Sequence, residues 1–383
     1  MRLLHLSDLH VGKCVNGFSM LAEQRHVFEQ IVGYVRSEAV DVVVVAGDVF
    51  DRSVPGVDAV CVFDDFLTAL ACEGVAVLLV AGNHDSPERL SYASRLLVDK
   101  GLFLCGLFDG SLRKVSFSDE FGVVNFWLLP FIKPLLVQGF FGDCRVENCN
   151  DAFVAVIKNA VVDFSVRNVL VAHQFFTKVG VDCVRSDSEL CSVGGLDAVD
   201  VGIIEGFDYV ALGHLHQAQN VGVDHVRYVG SPLKYSFSEV LHEKSVLLVE
   251  INEKNSGVNI RVLPLVPLHD MREIKGKIAD LMSCDVVSLA NREDYLRVIL
   301  TDEDEIVSPM EKLRSVYPNI MSLSFENSRT KNDFSDVCYS SEFSGQLSLY
   351  ELFSEFFLKM CGSTMNLEQM RVVKKLFEGE DVL

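Results

Sequence analysis

Val42-Val43-Val44-Val45-Ala46-Gly47-Asp48-Val49-Phe50-Asp51 is the stretch that decides the fold: five apolar residues in a row, a glycine, then two carboxylates three positions apart. A run this short and this rich in valine predicts a strand buried on both faces of a sheet. The glycine lets the chain turn sharply where the polar side chains begin. The same pattern recurs four more times. Residues 3–6 run towards Asp8-Leu9-His10, residues 75–81 into Gly82-Asn83-His84-Asp85, residues 169–172 into His173, and residues 209–212 into Gly213-His214-Leu215-His216. Between the first two runs Val27, Phe28, Ile31, Val32 and Val35 recur at helical spacing, as do Val60, Phe63, Leu67 and Leu70 between the next two. Strands alternating with amphipathic helices predict a layered α/β domain with helices covering the sheet.

In α/β sheets, ligands gather beyond the carboxyl ends of the strands, so five strands here deliver Asp, His and Asn to one rim. Carboxylate and amide oxygens beside imidazole nitrogens, with no thiolate, suit hard or borderline divalent cations: Mn²⁺ or Mg²⁺, with Fe²⁺ or Zn²⁺ also compatible. The single residue between Asp8 and His10, and between His214 and His216, predicts extended segments that turn both ligands to one side. Gly47, Gly82 and Gly213 each precede a ligand and let the backbone come close to the metals. A lone D-x-H or G-H-x-H is weak, and each glycine alone has a packing explanation. Five such blocks in this order are specific.

Composition limits the alternatives. With 49% hydrophobic and 23% charged residues in 383, the chain can fill a large core and is not disordered as a whole. No apolar run approaches the roughly 20 residues of a membrane span, and a first strand at Arg2 leaves no room for a signal peptide; a cytoplasmic protein is expected. Eleven cysteines without a C-x-x-C pair argue against a disulfide framework or thiolate zinc site, and predict reduced, mostly buried side chains. The formal charge of −20 opposes nucleic-acid binding by this chain alone, an objection that bound divalent metals or a basic partner protein would relieve.

Beyond the first domain, placed at residues 1–267, a small α+β domain is expected over 268–326, with strands at 295–300 and 320–325 and a helix opening near Pro309. A Ser-, Asn- and Asp-rich linker follows at 327–346. Residues 347–383 predict two helices, the first opened by Ser348 and Glu351 at capping-box spacing and marked by Leu349, Leu352, Phe353, Phe356, Phe357 and Met360, the second over 367–377. A hairpin packed on its own domain is the plain reading of these helices; their place beyond a linker raises that of a partner-binding segment.

These blocks resemble the calcineurin-like metallophosphoesterases, and within them the bacterial double-strand-break repair nucleases. The likeness extends through residues 47–51 and 81–86, the run from Tyr209 through Gly213-His214-Leu215-His216-Gln217-Ala218-Gln219, Val226 to Pro232, and Ser236-Phe237-Ser238-Glu239. It is close over roughly the first 250 residues and holds only in outline beyond them. The resemblance implies an α/β fold, a four-layer β-sandwich flanked by helices, with a capping domain and a C-terminal helical segment. It implies two divalent ions, Mn²⁺ first and Mg²⁺ second. Asp8, His10, Asp48 and His216 would surround one, Asp48, Asn83, His173 and His214 the other, with Asp48 bridging. His84 would protonate the leaving oxygen, with Asp51 orienting it. The implied reaction is hydrolysis of DNA, as a 3′-to-5′ double-strand exonuclease and a single-strand or hairpin endonuclease. The implied partners are an SbcC-type ATPase docked on the C-terminal helices and a second copy of the chain within a heterotetramer. Consistent with this, the chain has no G-x-x-x-x-G-K-[ST] loop of its own.

A phosphatase of the same fold is the competing enzyme reading, because residues 48–52 approach G-D-x-x-D-R-G; Ser53 replaces the last glycine, and Asp85 stands where Glu is usual. A non-catalytic adaptor is disfavoured because every ligand position is filled. His5 reads as a satisfied core imidazole or a support to the site, and His26, His225, His242 and His269 receive no role. Asp85 is expected to cap the helix at Pro87. Lys13, Arg52, Arg89 and Lys178 read as solvated charges before phosphate contacts.

Overall fold

The valine- and leucine-rich runs form strands because branched side chains pack well on a pleated surface. The computed structural model describes residues 1–142, 145–178, 183–184, 186–189, 197–328, 330, 349–361 and 364–378. The chain divides into two compact units, Met1–Asp270 and Met271–Leu383. In the first unit the strands of the two large sheets are β1 (Arg2–Leu6), β2 (Val42–Ala46), β3 (Ala76–Val80), β4 (Leu102–Cys105), β5 (Arg113–Asp119), β6 (Gly122–Leu129), β7 (Arg167–His173), β8 (Tyr209–Gly213), β9 (Gln219–Val221), β10 (Val223–Tyr228), β11 (Ser245–Ile251) and β12 (Val258–Pro264).

One sheet runs β12-β11-β1-β2-β3-β4, parallel from β1 to β4 and antiparallel where β11 meets β1 and β12. The other runs β9-β10-β8-β7-β6-β5, parallel from β10 to β6 and antiparallel at both ends. The sheets pack face to face. Leu3, Val42, Val44, Leu78 and Val80 of the first and Phe126, Val169, Val171, Tyr209 and Ala211 of the second form one core cluster. The alternate residues Trp127, Leu170, Ala172, Val210 and Leu212 turn the other way, onto Phe153 and Val156 of helix α4 (Cys149–Asn159). Each of the Val, Leu and Phe side chains among them contributes roughly 1.5–3 kcal/mol by leaving water. Between β1 and β2 lies α1 (Leu21–Ser37), and between β2 and β3 lies α2 (Val57–Cys72). Phe28 of α1 stacks on Phe66 of α2 at 4.3 Å between ring centroids. This is the helix-flanked sandwich expected from the sequence.

Two polar residues are built into this core. His5 is fully buried, with Nδ1 2.9 Å from the Tyr209 hydroxyl, and burial pushes its pKa down to about 3, leaving a neutral imidazole. Arg167, also inaccessible, pairs with Asp119 and donates to the carbonyls of Gly122, Ile251 and Asn252. Asp119 also holds the N-terminal ammonium at 2.9 Å. This cluster ties the ends of β1, β5, β6, β7 and β11.

The second unit holds three parallel strands, β13 (Met271–Gly276), β14 (Tyr295–Leu300) and β15 (Ile320–Phe325), in that order. Leu296, Val298, Leu300 and Ile320 form a small core with Leu313 of α5 (Pro309–Arg314) and with Tyr317. Helices α6 (Leu349–Cys361) and α7 (Leu367–Glu378) meet where Phe353 lies 5.9 Å from Phe377. Leu352 and Phe356 of the expected apolar face are exposed. Most of the expected linker, the Ser348 cap and the side chains of Leu349, Glu351 and Met360 lie outside the described residues.

One composition-based expectation fails. Of the seven cysteines described as free, Cys14, Cys61, Cys72 and Cys284 are exposed, and only Cys105 and Cys149 are buried. Of the four exposed thiols, Cys14 stands on a two-residue strand and the other three on helices, where a small residue needs no burial. Among the described residues, no helix is long and apolar enough to cross a membrane.

Candidate metal centre

Every strand of the motif blocks ends at the same rim, and main-chain pairing continues past β1 and β2 into their loops. Asp8 N donates to Gly47 O at 3.0 Å, His10 N to Asp48 O at 2.9 Å and Val11 N to Val49 O at 2.8 Å. Four of the ligand-bearing residues are not extended, however. Asp8, His10, Asp48 and His214 have φ of 51°, 42°, 50° and 109°, in the region that side chains with a Cβ rarely adopt. The expected same-side geometry of Asp8 and His10, and of His214 and His216, therefore comes from turned backbone and not from strand alternation. The glycines behave as expected. A Cβ on Gly47 would lie 2.3 Å from His173 Nδ1, one on Gly82 2.1 Å from Asp48 Oδ1, and one on Gly213 1.9 Å from Ala46 O.

The seven expected ligands converge. His10 Nε2 and His216 Nε2 face each other at 3.1 Å, and Asp8, His10 and His216 form one cluster. Asp48 Oδ2 lies 3.6 Å from His10 Nε2 and 3.4 Å from His173 Nε2, between the two halves of the set. Asn83 Oδ1 is 3.1 Å from both His173 Nε2 and His214 Nδ1. His173 donates Nδ1–H to Ala46 O at 2.8 Å, which turns Nε2 towards Asp48 and Asn83 as the nitrogen that a metal ion would take in place of a proton. Asp8 accepts from His214 N at 3.1 Å and from the Ser7 hydroxyl. Burial lifts the Asp48 carboxyl, but the imidazoles of His173, His10 and His84 outweigh it and hold it well below the usual carboxylate range. Burial lowers His173, yet Asp48 and Asp8 carry it up to about 9, while burial drives His10 well below the ordinary histidine value. Two carboxylates, one amide oxygen and four imidazoles, with two ring nitrogens held by their far-side hydrogen bonds, fit a pair of divalent ions.

His84 stands beside this set, 4.8 Å from the His10 ring. Its backbone N donates to Asp48 Oδ1 at 2.9 Å, and its Nδ1 lies 3.0 Å from the main-chain carbonyl of Asp51. The contact between Asp51 and His84 is thus made by the Asp51 backbone. The Asp51 carboxylate goes elsewhere, 2.7 Å from Lys13 Nζ and 3.7 Å from His10 Nδ1. Lys13 therefore holds an ion pair, and Lys178 sits 3.3 Å from Glu205. Arg52 extends into solvent beside Asp51, at 3.7 Å.

Asp85 does not cap the helix α3 (Pro87–Leu90); Ser86 does, accepting from Arg89 N. The buried Asp85 carboxylate instead accepts from Val49 N (3.1 Å), Phe50 N (2.9 Å) and Gly82 N (2.9 Å), clasping the β2 loop to the β3 loop. Gln24 was invisible to motif reading. From inside α1 it donates to Leu9 O and His10 O and accepts from Gly12 N, fixing the β1 loop. No motif signals a buried glutamine on an amphipathic helix. Asp85, by contrast, stood next to His84 in its block, and Glu239 closed the run that begins at Ser236.

Residues 1–218 match the calcineurin-like phosphoesterase family, and residues 267–360 match the type 5 capsule protein repressor C-terminal domain. The SbcD chain of the SbcCD nuclease from Staphylococcus epidermidis is 32% identical over 327 residues, spanning 85% of both chains. The chain belongs to the calcineurin-like phosphoesterases, in the SbcD family. This phosphoesterase is a metal-dependent nuclease, a hydrolase. A dimetal phosphatase from Danio rerio is similar in structure at 14% identity and a TM-score of 0.43, covering 70% of this phosphoesterase and 97% of that chain.

Proposed function

We propose that the chain hydrolyses DNA phosphodiester bonds, as a double-strand exonuclease and a hairpin endonuclease, together with an SbcC-type ATPase in DNA repair, recombination and replication. Mn²⁺ is the proposed metal, with Mg²⁺ as the substitute. Asp8, His10, Asp48 and His216 would hold one ion and Asp48, Asn83, His173 and His214 the other. When bound, the two ions supply positive charge to the phosphate and acidify the attacking water.

The observation that carries this reading is the setting of His84. A carbonyl only accepts, so His84 Nδ1 is the protonated nitrogen against Asp51 O, and Nε2 is the atom at which a proton is exchanged. The backbone bond from His84 to Asp48 fixes the ring beside the ligands. A protonated Nε2 then donates to the departing sugar oxygen as general acid, a role worth roughly 10²–10⁴ in rate. The acidic chain, with Lys13 and Lys178 in ion pairs, supports assigning most of the DNA grip to the partner ATPase, docked on the C-terminal helices in a heterotetramer that contains two copies of this chain.

The test is digestion of linear duplex and hairpin DNA with Mn²⁺, by wild type and His84→Gln, with and without the ATPase and ATP. A small aryl phosphate serves as the control. Cutting that survives in His84→Gln removes His84 from the acid role; turnover of the aryl phosphate without DNA cutting returns the enzyme to the phosphatases.

A further inference from the structure

Glu239 ends the run Ser236-Phe237-Ser238-Glu239, which the proposed chemistry leaves unused. Its side chain is completely inaccessible, yet it belongs to no metal-ligand cluster among the described residues. One oxygen, Oε1, accepts from the Ser188 hydroxyl at 2.6 Å and lies 3.4 Å from His216 Nδ1. The other, Oε2, is 2.6 Å from the ammonium of Lys244, itself buried. Ser188 Oγ is in turn 2.7 Å from His216 Nδ1.

The direction of these bonds follows from the chemistry of the partners. A carboxylate only accepts, so the single hydroxyl proton of Ser188 goes to Glu239. The short contact between Ser188 Oγ and His216 Nδ1 then has the imidazole as donor. Nδ1 is the protonated nitrogen, and the Nε2 lone pair faces Asp8 and His10. Lys244 completes the grip from behind, donating to His216 O at 2.9 Å and to Ser231 Oγ at 2.8 Å. Glu189 Oε1 accepts from His216 N at 2.7 Å. Ring, amide and carbonyl of one ligand are therefore each held by a side chain, Ser188, Glu189 and Lys244 respectively, with Lys244 and the Glu239 behind Ser188 buried.

We propose that Glu239 is a positioning residue for the metal centre, acting through Ser188 to fix the tautomer and ring orientation of His216, with Lys244 neutralising its charge. This rests on the dinuclear-metal reading above. The other imidazole whose far-side bond is equally clear, His173, uses a main-chain carbonyl for the same purpose. The His216 side of the centre depends instead on a side-chain relay. Outer partners of metal-bound histidines are typically worth 10–100-fold in metal affinity.

The experiment measures Mn²⁺ binding to the full chain by titration calorimetry, with bound metal counted by elemental analysis after dialysis. Thermal unfolding in EDTA runs in parallel. Glu239→Gln and Ser188→Ala are each expected to weaken one of the two ions about 10–100-fold and to leave the other within about twofold. Because Glu239→Gln strands the Lys244 charge, the double variant Glu239→Gln, Lys244→Met serves if the single one fails to fold. Ser188→Ala, which strands no charge, serves if both fail. Folded variants that bind two ions with wild-type affinity overturn the proposal, as does equal weakening of both. A Tm loss in EDTA with unchanged Mn²⁺ affinity makes the network structural only, and overturns it too. A wild type that binds no Mn²⁺ at all instead removes the metal-centre reading on which it stands.

Discussion

Replacing Asp85 with alanine removes the one acceptor shared by Val49 N, Phe50 N and Gly82 N. A buried donor left without a partner costs roughly 1–3 kcal/mol, so three set a ceiling of about 9. Two effects reduce it. Loops relax and admit water, and the carboxylate itself is unfavourably buried: burial, then repulsion from Asp48, push its pKa up to about 6. The expected net loss is about 3–5 kcal/mol, which lowers Tm by roughly 6–15 °C in a domain of this size. Asp85→Asn is graded between. Its carbonyl, at the Oδ2 position, still serves Val49 and Gly82, while its amide opposes Phe50 N–H, at a cost of about 1–3 kcal/mol. Thermal unfolding of the full chain in EDTA measures the order wild type, Asn, Ala; Mn²⁺ titration measures the coupled loss of ion binding as the Asp48 and Asn83 loops separate. An alanine variant within about 2 °C of wild type, binding two ions normally, would refute the claim that this carboxylate joins the loops.

His84→Gln is expected to lower DNA cutting by about 10²–10⁴ while two Mn²⁺ remain bound, as checked by single-turnover cleavage beside metal analysis. Gly82→Ala places a Cβ 2.1 Å from Asp48 Oδ1 and should abolish Mn²⁺ binding, whereas Gly74→Ala, with nothing near its Cβ but φ at +73°, should cost stability only. Asp119→Ala strands Arg167 and is expected to cost roughly 3–5 kcal/mol in urea unfolding. The Arg167 guanidinium holds the Asp119 carboxyl below its unfolded value, so this contribution is complete above that value and disappears as pH falls through the lower, folded one. Stability curves of wild type and variant should therefore converge only in acid. Mn²⁺ at 100 times its Kd should stabilise the native state by about 2.7 kcal/mol per site, an increase that EDTA reverses.

The ligand blocks were legible because each combined two signals, an apolar run and the polar residues at its end. That combination brought Asp8, Asp48, Asn83, His173 and His214 to one rim without any contact information. The conformation of those ends was not legible. Asp8 and His10 sit at positive φ where their amides donate to the Gly47 and Asp48 carbonyls, and these acceptors come from a segment forty residues away. Asp51 illustrates a second limit: sequence names a residue, but its carbonyl, not its carboxylate, meets His84. Asp85, Gln24 and Glu239 were missed or misassigned because a single polar residue acquires its purpose only from the donors folded around it. Cysteine exposure was misjudged for the opposite reason, since a small side chain tolerates either environment.

Strand β1 is hydrogen-bonded on one side to β2, some forty residues downstream, and on the other to β11, which begins at Ser245. During synthesis, the segment bearing Asp8 and His10 emerges first but lacks its second neighbour until some two-thirds of the polypeptide has left the ribosome. Until then it presents a bare hydrophobic edge, the kind of surface that recruits foreign strands. Chains truncated before Ser245 should consequently aggregate instead of accumulating as soluble fragments, even when they already carry every ligand residue up to His216.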